Sequence, residues 1–267
     1  MDVRTQAVAD VLATSRQVVG VICFGSLAMG RTDPSSDIDL YVFCRPRIPY
    51  KRDRHRILKR LPELSDVVLD YPGGGKQLWP KQDKFRVSGL AFDVVYNLAQ
   101  RVRTIVAKVK QGKTSIPELR FRAYTMLGLL DNSIVLYDPR SFVATLRGNL
   151  YPYPKKLKEE LITSALASLH EGLNELADIS RRRIGKAAFL FHLMRMGDNL
   201  SALLHAINEK YDPVTKRTEQ DLARLRNLPP GFLARYESVL TGPFDEAGQE
   251  RIVAEYVQLI ADARAMI

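Results

Sequence analysis

Within "VICFGSLAMGRTDPSSDIDLYVF", residues 21–43, two aspartates sit one residue apart inside an apolar run. Successive side chains of a strand point to opposite faces. Ile38 and Leu40 therefore enter a core, while Asp37 and Asp39 share the other face. Two carboxylates side by side repel each other, and leaving them so costs stability unless a cation sits between them. A hard divalent ion such as Mg²⁺ takes carboxylate oxygens and keeps positions open for phosphate. The pair reads as a metal platform on a sheet.

Gly25-Ser26 supplies a second half. It follows a strand and opens a short helical turn, Leu27–Met29, which Gly30 ends. Glycine lets backbone approach a ligand closely. The N–H groups at a helix start, with the Ser26 hydroxyl, suit a phosphate. A two-metal site needs further ligands and a base. Asp93, polar within the apolar "GLAFDVVYN", is the expected third carboxylate, with Asp70 in "VVLDY" as the alternative.

Gly25-Ser26, Gly30 and Ser36-Asp37-Ile38-Asp39-Leu40 resemble the signature of the polymerase-β-like nucleotidyltransferase superfamily. That signature is Gly-Ser, a few residues, Gly, a turn, Asp-x-Asp, and a third Asp on a later strand. The motif covers Gly25–Leu40, with Asp93 outlying. The resemblance implies transfer of a nucleoside monophosphate from an NTP, with ATP the expected donor, to an acceptor hydroxyl, releasing pyrophosphate. It implies two Mg²⁺ ions on Asp37, Asp39 and Asp93, with Asp93 helping to deprotonate the acceptor. Gly25, Ser26 and Ser36 would hold nucleotide. Arg31, after the Gly30 turn, either adds charge there or is a solvated turn arginine.

The remaining pattern points to an α+β fold. Strands are expected at Val18–Phe24, Asp37–Phe43, Asp66–Leu69 and Ile134–Tyr137, with a hairpin of Phe85–Val87 and Leu90–Tyr96 turning at Ser88-Gly89. Helices are expected at the N-terminus and at Arg52–Leu61, Arg101–Lys110 and Pro117–Leu129. This makes residues 1–150 a small mixed-sheet catalytic domain with flanking helices. "YPYP" at Tyr151–Pro154 reads as a stiff linker. Residues 151–267 read as an all-α helical bundle that binds the acceptor, with helices over Lys155–Arg181, Ile184–Lys210, Thr218–Asn227 and Phe244–Met266. This two-domain layout is similar to that of the antibiotic nucleotidyltransferases.

Charge is uneven. Residues 1–150 carry 24 Lys and Arg against 14 Asp and Glu, whereas residues 151–267 carry 16 against 16. The excess is densest in Arg45–Arg60, "RPRIPYKRDRHRILKR", either a nucleic-acid contact or a solvated helix face. The first fits an alternative acceptor, RNA or tRNA; a protein acceptor is a further alternative. A non-catalytic, antitoxin-like module of the same fold is disfavoured, because it has no reason to keep a costly carboxylate cluster. No run reaches the roughly 18 apolar residues of a membrane span. The first residues lack a signal peptide's apolar stretch, and Cys23 and Cys44 fall in apolar runs, as buried free thiols do. A cytoplasmic protein with no membrane partner is expected.

In the helical part, His192, Arg195 and Asn199 share a face at i, i+3 and i+7. That stripe either lines an acceptor pocket, set between the two domains, or forms an interhelical network. Asp198 and His205 share another face. Glu171, Glu175 and Asp178 form a third, an acidic contact for a cation or a solvated face. Gly73–Gly75 followed by Lys76 lacks the P-loop pattern and reads as a loop covering the site. Trp79 is either a base-stacking residue or a core anchor.

Overall fold

A computed structural model describes residues 2–31, 36–72, 80–114, 122–213 and 217–267 of the 267-residue chain. The expected Gly73–Gly75 loop, Lys76 and Trp79 lie outside these residues. The chain splits into two compact units, Met1–Pro152 and Tyr153–Ile267.

The first unit runs α1 (Val3–Ala13), β1 (Val18–Phe24), α2 (Gly25–Ala28), β2 (Ile38–Cys44), α3 (Lys51–Leu58), β3 (Leu64–Leu69), β4 (Lys81–Val87), β5 (Leu90–Leu98), α4 (Ala99–Lys110), α5 (Thr125–Asp131), β6 (Ile134–Tyr137) and α6 (Phe142–Gly148). The strands form one mixed sheet in the order β3-β4-β5-β2-β1-β6. Only β2 and β5 pair in parallel; the other neighbours are antiparallel. Ser88 and Gly89 take φ of 47° and 79°, the left-handed pair that closes a two-residue hairpin between β4 and β5.

Alternation gives the sheet two different faces. Leu40, Val42, Phe92 and Val94 join Val8 and Leu12 of α1 and Leu58 of α3 in one apolar core. Tyr41 and Phe43 point the other way, where Phe43 packs on Phe142 of α6 and Arg103 of α4 covers that ring. Asp39 lies on this second face, two residues before Tyr41, at the N-terminal end of β2.

The second unit contains α7 (Lys155–Arg181), α8 (Lys186–Ile207), α9 (Thr218–Leu222), α10 (Phe232–Thr241) and α11 (Glu246–Arg264). Its core joins Leu169 and Leu176 of α7, Leu193 and Leu200 of α8, Phe232 of α10 and Ile252 and Leu259 of α11. No strand occurs here among the described residues. No helix among them is long and apolar enough to cross a membrane.

The mixed sheet with flanking helices, followed by a helical region, is the α+β class read from the sequence. Several boundaries differ for local reasons. The helix expected to reach Asn227 stops at Leu222; five residues on, the Asn208 side chain holds the Asn227 backbone, accepting from its N–H at 2.8 Å and donating to its carbonyl at 2.7 Å. The helix expected from Ile184 begins at Lys186, after Gly185 at φ 135°. The helix expected from Pro117 is described only as Thr125–Asp131, residues 115–121 lying outside the described set.

Cys23 and Cys44 are free and buried. Burial pushes each thiol up to about 12, and the Asp39 charge adds to the effect at Cys23. A raised pKa keeps the thiol protonated until pH nears that value. At about pH 8 both thiols should therefore react with a disulfide reagent at least about a thousandfold more slowly in the folded protein than in denaturant. Rapid labelling of either without unfolding would contradict this placement.

Candidate functional site

Gly25 begins the site. It takes φ +72° as the chain turns from β1 into α2, and a Cβ there would run into Oδ2 of Asp39. Glycine is thus required both by the backbone and by the carboxylate beside it. Asp39 lies opposite Phe24 on β1 and opposite Asp93 on β5. Asp37 immediately precedes β2.

One oxygen from each of Asp37, Asp39 and Asp93 lies within 4.8 Å of the others. Asp37 is exposed, Asp39 half-buried and Asp93 only 9% exposed. Three like charges so close favour a cation among them. Their donors are all hard carboxylate oxygens, so the set could hold Mg²⁺ or a similar divalent ion and offers nothing that selects a soft one.

Asp93 is gripped from the neighbouring strand. Gln82 Nε2 donates to its Oδ1 at 2.6 Å and its Oδ2 at 2.7 Å, and Lys84 Nζ lies 2.9 Å from Oδ2. Both partners follow from register: β4 pairs antiparallel with β5, Lys84 opposite Asp93, and Gln82 two residues along on the same face. The hydrogen bond to Asp93, then the charges of Asp93 and Asp37, hold the Lys84 ammonium above the usual lysine range. The same ammonium sits 4.7 Å over the Tyr71 ring.

Asp70, the alternative third carboxylate, is committed elsewhere. Its Oδ1 accepts from Arg54 Nη2 at 2.6 Å and lies 3.3 Å from Lys81 Nζ. The solvated reading of Arg31 is also corrected: Arg31 is 9% exposed, and its backbone N–H donates to the Ser26 carbonyl at 2.8 Å. Ser26 is half-buried at the start of α2, and Ser36, half-buried, directly precedes Asp37.

His192 and Asn199 are half-buried, Arg195 is exposed, and the Arg195 guanidinium lies 5.8 Å over the equally exposed Phe191 ring. His205 is buried and turned onto its own helix, Nδ1 lying 2.8 Å from the Ser201 carbonyl. Glu171 and Glu175 are solvated, and Asp178 pairs with Arg181 and Arg182 one turn on.

The basic run separates into two roles. Arg54 is buried under the sheet against Asp83, a residue the sequence reading passed over. Arg45, Arg47, Lys51, Arg52, Arg56, Lys59 and Arg60 are exposed. They belong to α3 and its approach, on the face opposite Asp39. Arg45 is six residues beyond Asp39, about 20 Å along an extended strand.

Gly25→Ala is expected to lower stability by about 1 kcal/mol or more from the left-handed backbone alone, and to displace Asp39. Urea unfolding reads the first effect and divalent-ion binding the second. Unchanged ion binding would show that the Gly25 approach does not matter to the carboxylates.

The family model described as "Polymerase beta, Nucleotidyltransferase" matches residues 6–72. The match spans β1, α2, β2 and β3 and includes Asp37 and Asp39, but not Asp93. It supports a nucleotidyltransferase-like domain in the first unit. No curated protein matches the chain. Among solved structures, a nucleotidyltransferase-like protein from Exiguobacterium sibiricum 255-15 is similar, with 10% identity and a TM-score of 0.47 over 97% of this chain and 73% of that one.

Proposed function

We propose that the chain is a divalent-metal-dependent nucleotidyltransferase, moving an NMP group from an NTP, ATP in the first instance, to a hydroxyl of a small-molecule acceptor. The observation that carries this is the meeting of Asp37, Asp39 and Asp93 within 4.8 Å beside the Gly25 turn. In the reaction the acceptor oxygen bonds to the α-phosphorus, the bond from that phosphorus to the bridging oxygen of the pyrophosphate breaks, and the hydroxyl proton is lost. Asp37, Asp39 and Asp93 would hold the ions, which supply charge stabilisation for the triphosphate and leaving group. Gly25 and Ser26, at the start of α2, present backbone N–H groups and a hydroxyl to phosphate, with Ser36 and Arg31 nearby in sequence. Asp93, held in orientation by Gln82, would draw the proton from the acceptor hydroxyl. Positioning supplies much of the catalysis in such transfers.

Acceptor contact is proposed for the stripe of His192, Arg195 and Asn199. The Arg45–Arg60 run gives an RNA acceptor little support, since its exposed charges lie across the sheet from the carboxylates.

The test is incubation with each labelled NTP and Mg²⁺ against panels of antibiotics, metabolites and tRNA. A labelled small-molecule product that disappears with chelator is expected. Labelled tRNA alone would move the assignment to the alternative acceptor, and no product from any panel would count against transfer.

A further inference from the structure

Asp93 already has a cation. Lys84 Nζ is 2.9 Å from its Oδ2, and the same ammonium feels the charge of Asp37. The positive charge of Lys84 thus lies at the edge of the carboxylate cluster where a divalent ion would bind. The two residues holding Asp93 are not equivalent. Gln82 is 7% exposed and donates to both carboxylate oxygens, so it is a fixed part of the sheet. The Lys84 side chain is 36% exposed, on a flexible stem, with its ammonium over the ring of the exposed Tyr71.

Resting on the metal-site reading above, we propose that Lys84 is the resident counter-cation of the metal-free site, which a divalent ion must displace from Asp93. Gln82 keeps the carboxylate oriented during that exchange. Two like charges cannot share one carboxylate oxygen cheaply, so ion entry moves the ammonium outward. A nucleoside triphosphate offers the displaced ammonium new oxygens. Ion and nucleotide then bind better together than the ion binds alone, because the nucleotide favours the state with Lys84 swung out. Without nucleotide the site binds stray divalent ions more weakly.

Mn²⁺ binding to the full chain without nucleotide, followed by electron paramagnetic resonance, tests this directly. Lys84→Met should bind Mn²⁺ about tenfold more tightly than the unaltered chain or more, the effect of removing one competing charge. Lys84→Arg, which keeps the charge, should stay within about twofold of the unaltered chain. Equal or weaker Mn²⁺ binding by Lys84→Met overturns the proposal. Weaker NTP binding at unchanged Mn²⁺ affinity overturns it too, assigning Lys84 to phosphate instead. A second measurement needs no variant. Reductive methylation read by mass spectrometry should modify Lys84 faster when Mn²⁺ alone saturates the site than when no divalent ion is present. An equal or slower rate overturns the displacement. If no form of the protein binds Mn²⁺ at millimolar concentration, the metal-site reading falls and this one with it. If all forms bind it equally, only the role of Lys84 falls.

Discussion

Asp39→Asn is expected to reduce transfer by about a thousandfold or more while leaving the fold intact. Asparagine has the same shape, so the contact between Asp39 and the Gly25 turn is preserved. What changes is one charge in a set of three within 4.8 Å. Metal-borne charge stabilisation is worth several kcal/mol in the transition state, and about 4 kcal/mol corresponds to three decades in rate. The same change relieves repulsion between Asp39 and its neighbours. Stability without metal should therefore hold or rise, whereas stabilisation by added Mg²⁺ should shrink. Turnover within about twofold of the unaltered chain would remove Asp39 from the metal platform. A variant that lost activity together with its melting transition would show only that Asp39 is structural. The two readouts must be taken together.

The carboxylate geometry was legible because it rests on local rules. Alternation alone put Asp37 and Asp39 on one side of the chain, although the strand itself begins at Ile38, and Gly25-Ser26 announces a turn after a strand. Asp93 needed one more step, that its strand join the same sheet, and β5 does lie beside β2. The grip on Asp93 was just as readable in principle. Once Ser88-Gly89 is taken as a two-residue hairpin, Val87 faces Leu90, and counting back places Lys84 opposite Asp93. Alternation does not reveal it, because "KQDK" is polar throughout and the apolar pattern starts only at Phe85. The short helix α6 escaped for a related reason. Its start is fixed by Asp138, whose Oδ2 accepts from the Ala144 N–H at 2.8 Å across six residues, rather than by a cap beside it. Arg54 was beyond any local rule. Inside eight basic residues nothing separates the buried one from those in water until α3 is laid on the sheet.

Arg54→Met should destabilise the first unit by about 3–5 kcal/mol, the range for removing one partner of a buried ion pair. The Arg54 side chain is 2% exposed and Asp83 is 0% exposed. Arg54 Nε donates to Asp83 Oδ2 at 2.7 Å, Nη1 to the Pro49 carbonyl at 2.8 Å and Nη2 to Asp70 Oδ1 at 2.6 Å. Its guanidinium also lies 5.2 Å over the Tyr96 ring. One side chain therefore ties α3, its entry loop, the end of β3 and the middle of β4. Methionine fills much of the volume but takes the guanidinium away from the buried Asp83 carboxylate, to which the Asp70 N–H donates at 3.0 Å. The buried charge left without its partner at Asp83, rather than loss of volume, is the source of the effect. The double variant Arg54→Met with Asp83→Leu should recover much of the lost stability, because apolar replacements of a buried pair are often neutral. A double-mutant cycle in urea measures this coupling. If the two effects simply add, Asp83 is not the group that needs Arg54, and the buried pair contributes little to the unit. The consequence reaches the site through β4, which carries Asp83 on one face and Gln82 and Lys84 on the other. Arg54→Met should therefore also weaken Mn²⁺ binding, although Arg54 itself lies across the sheet from the carboxylates. Mn²⁺ affinity unchanged in a destabilised but folded Arg54→Met protein would show that β4 holds Asp93 without help from the buried pair.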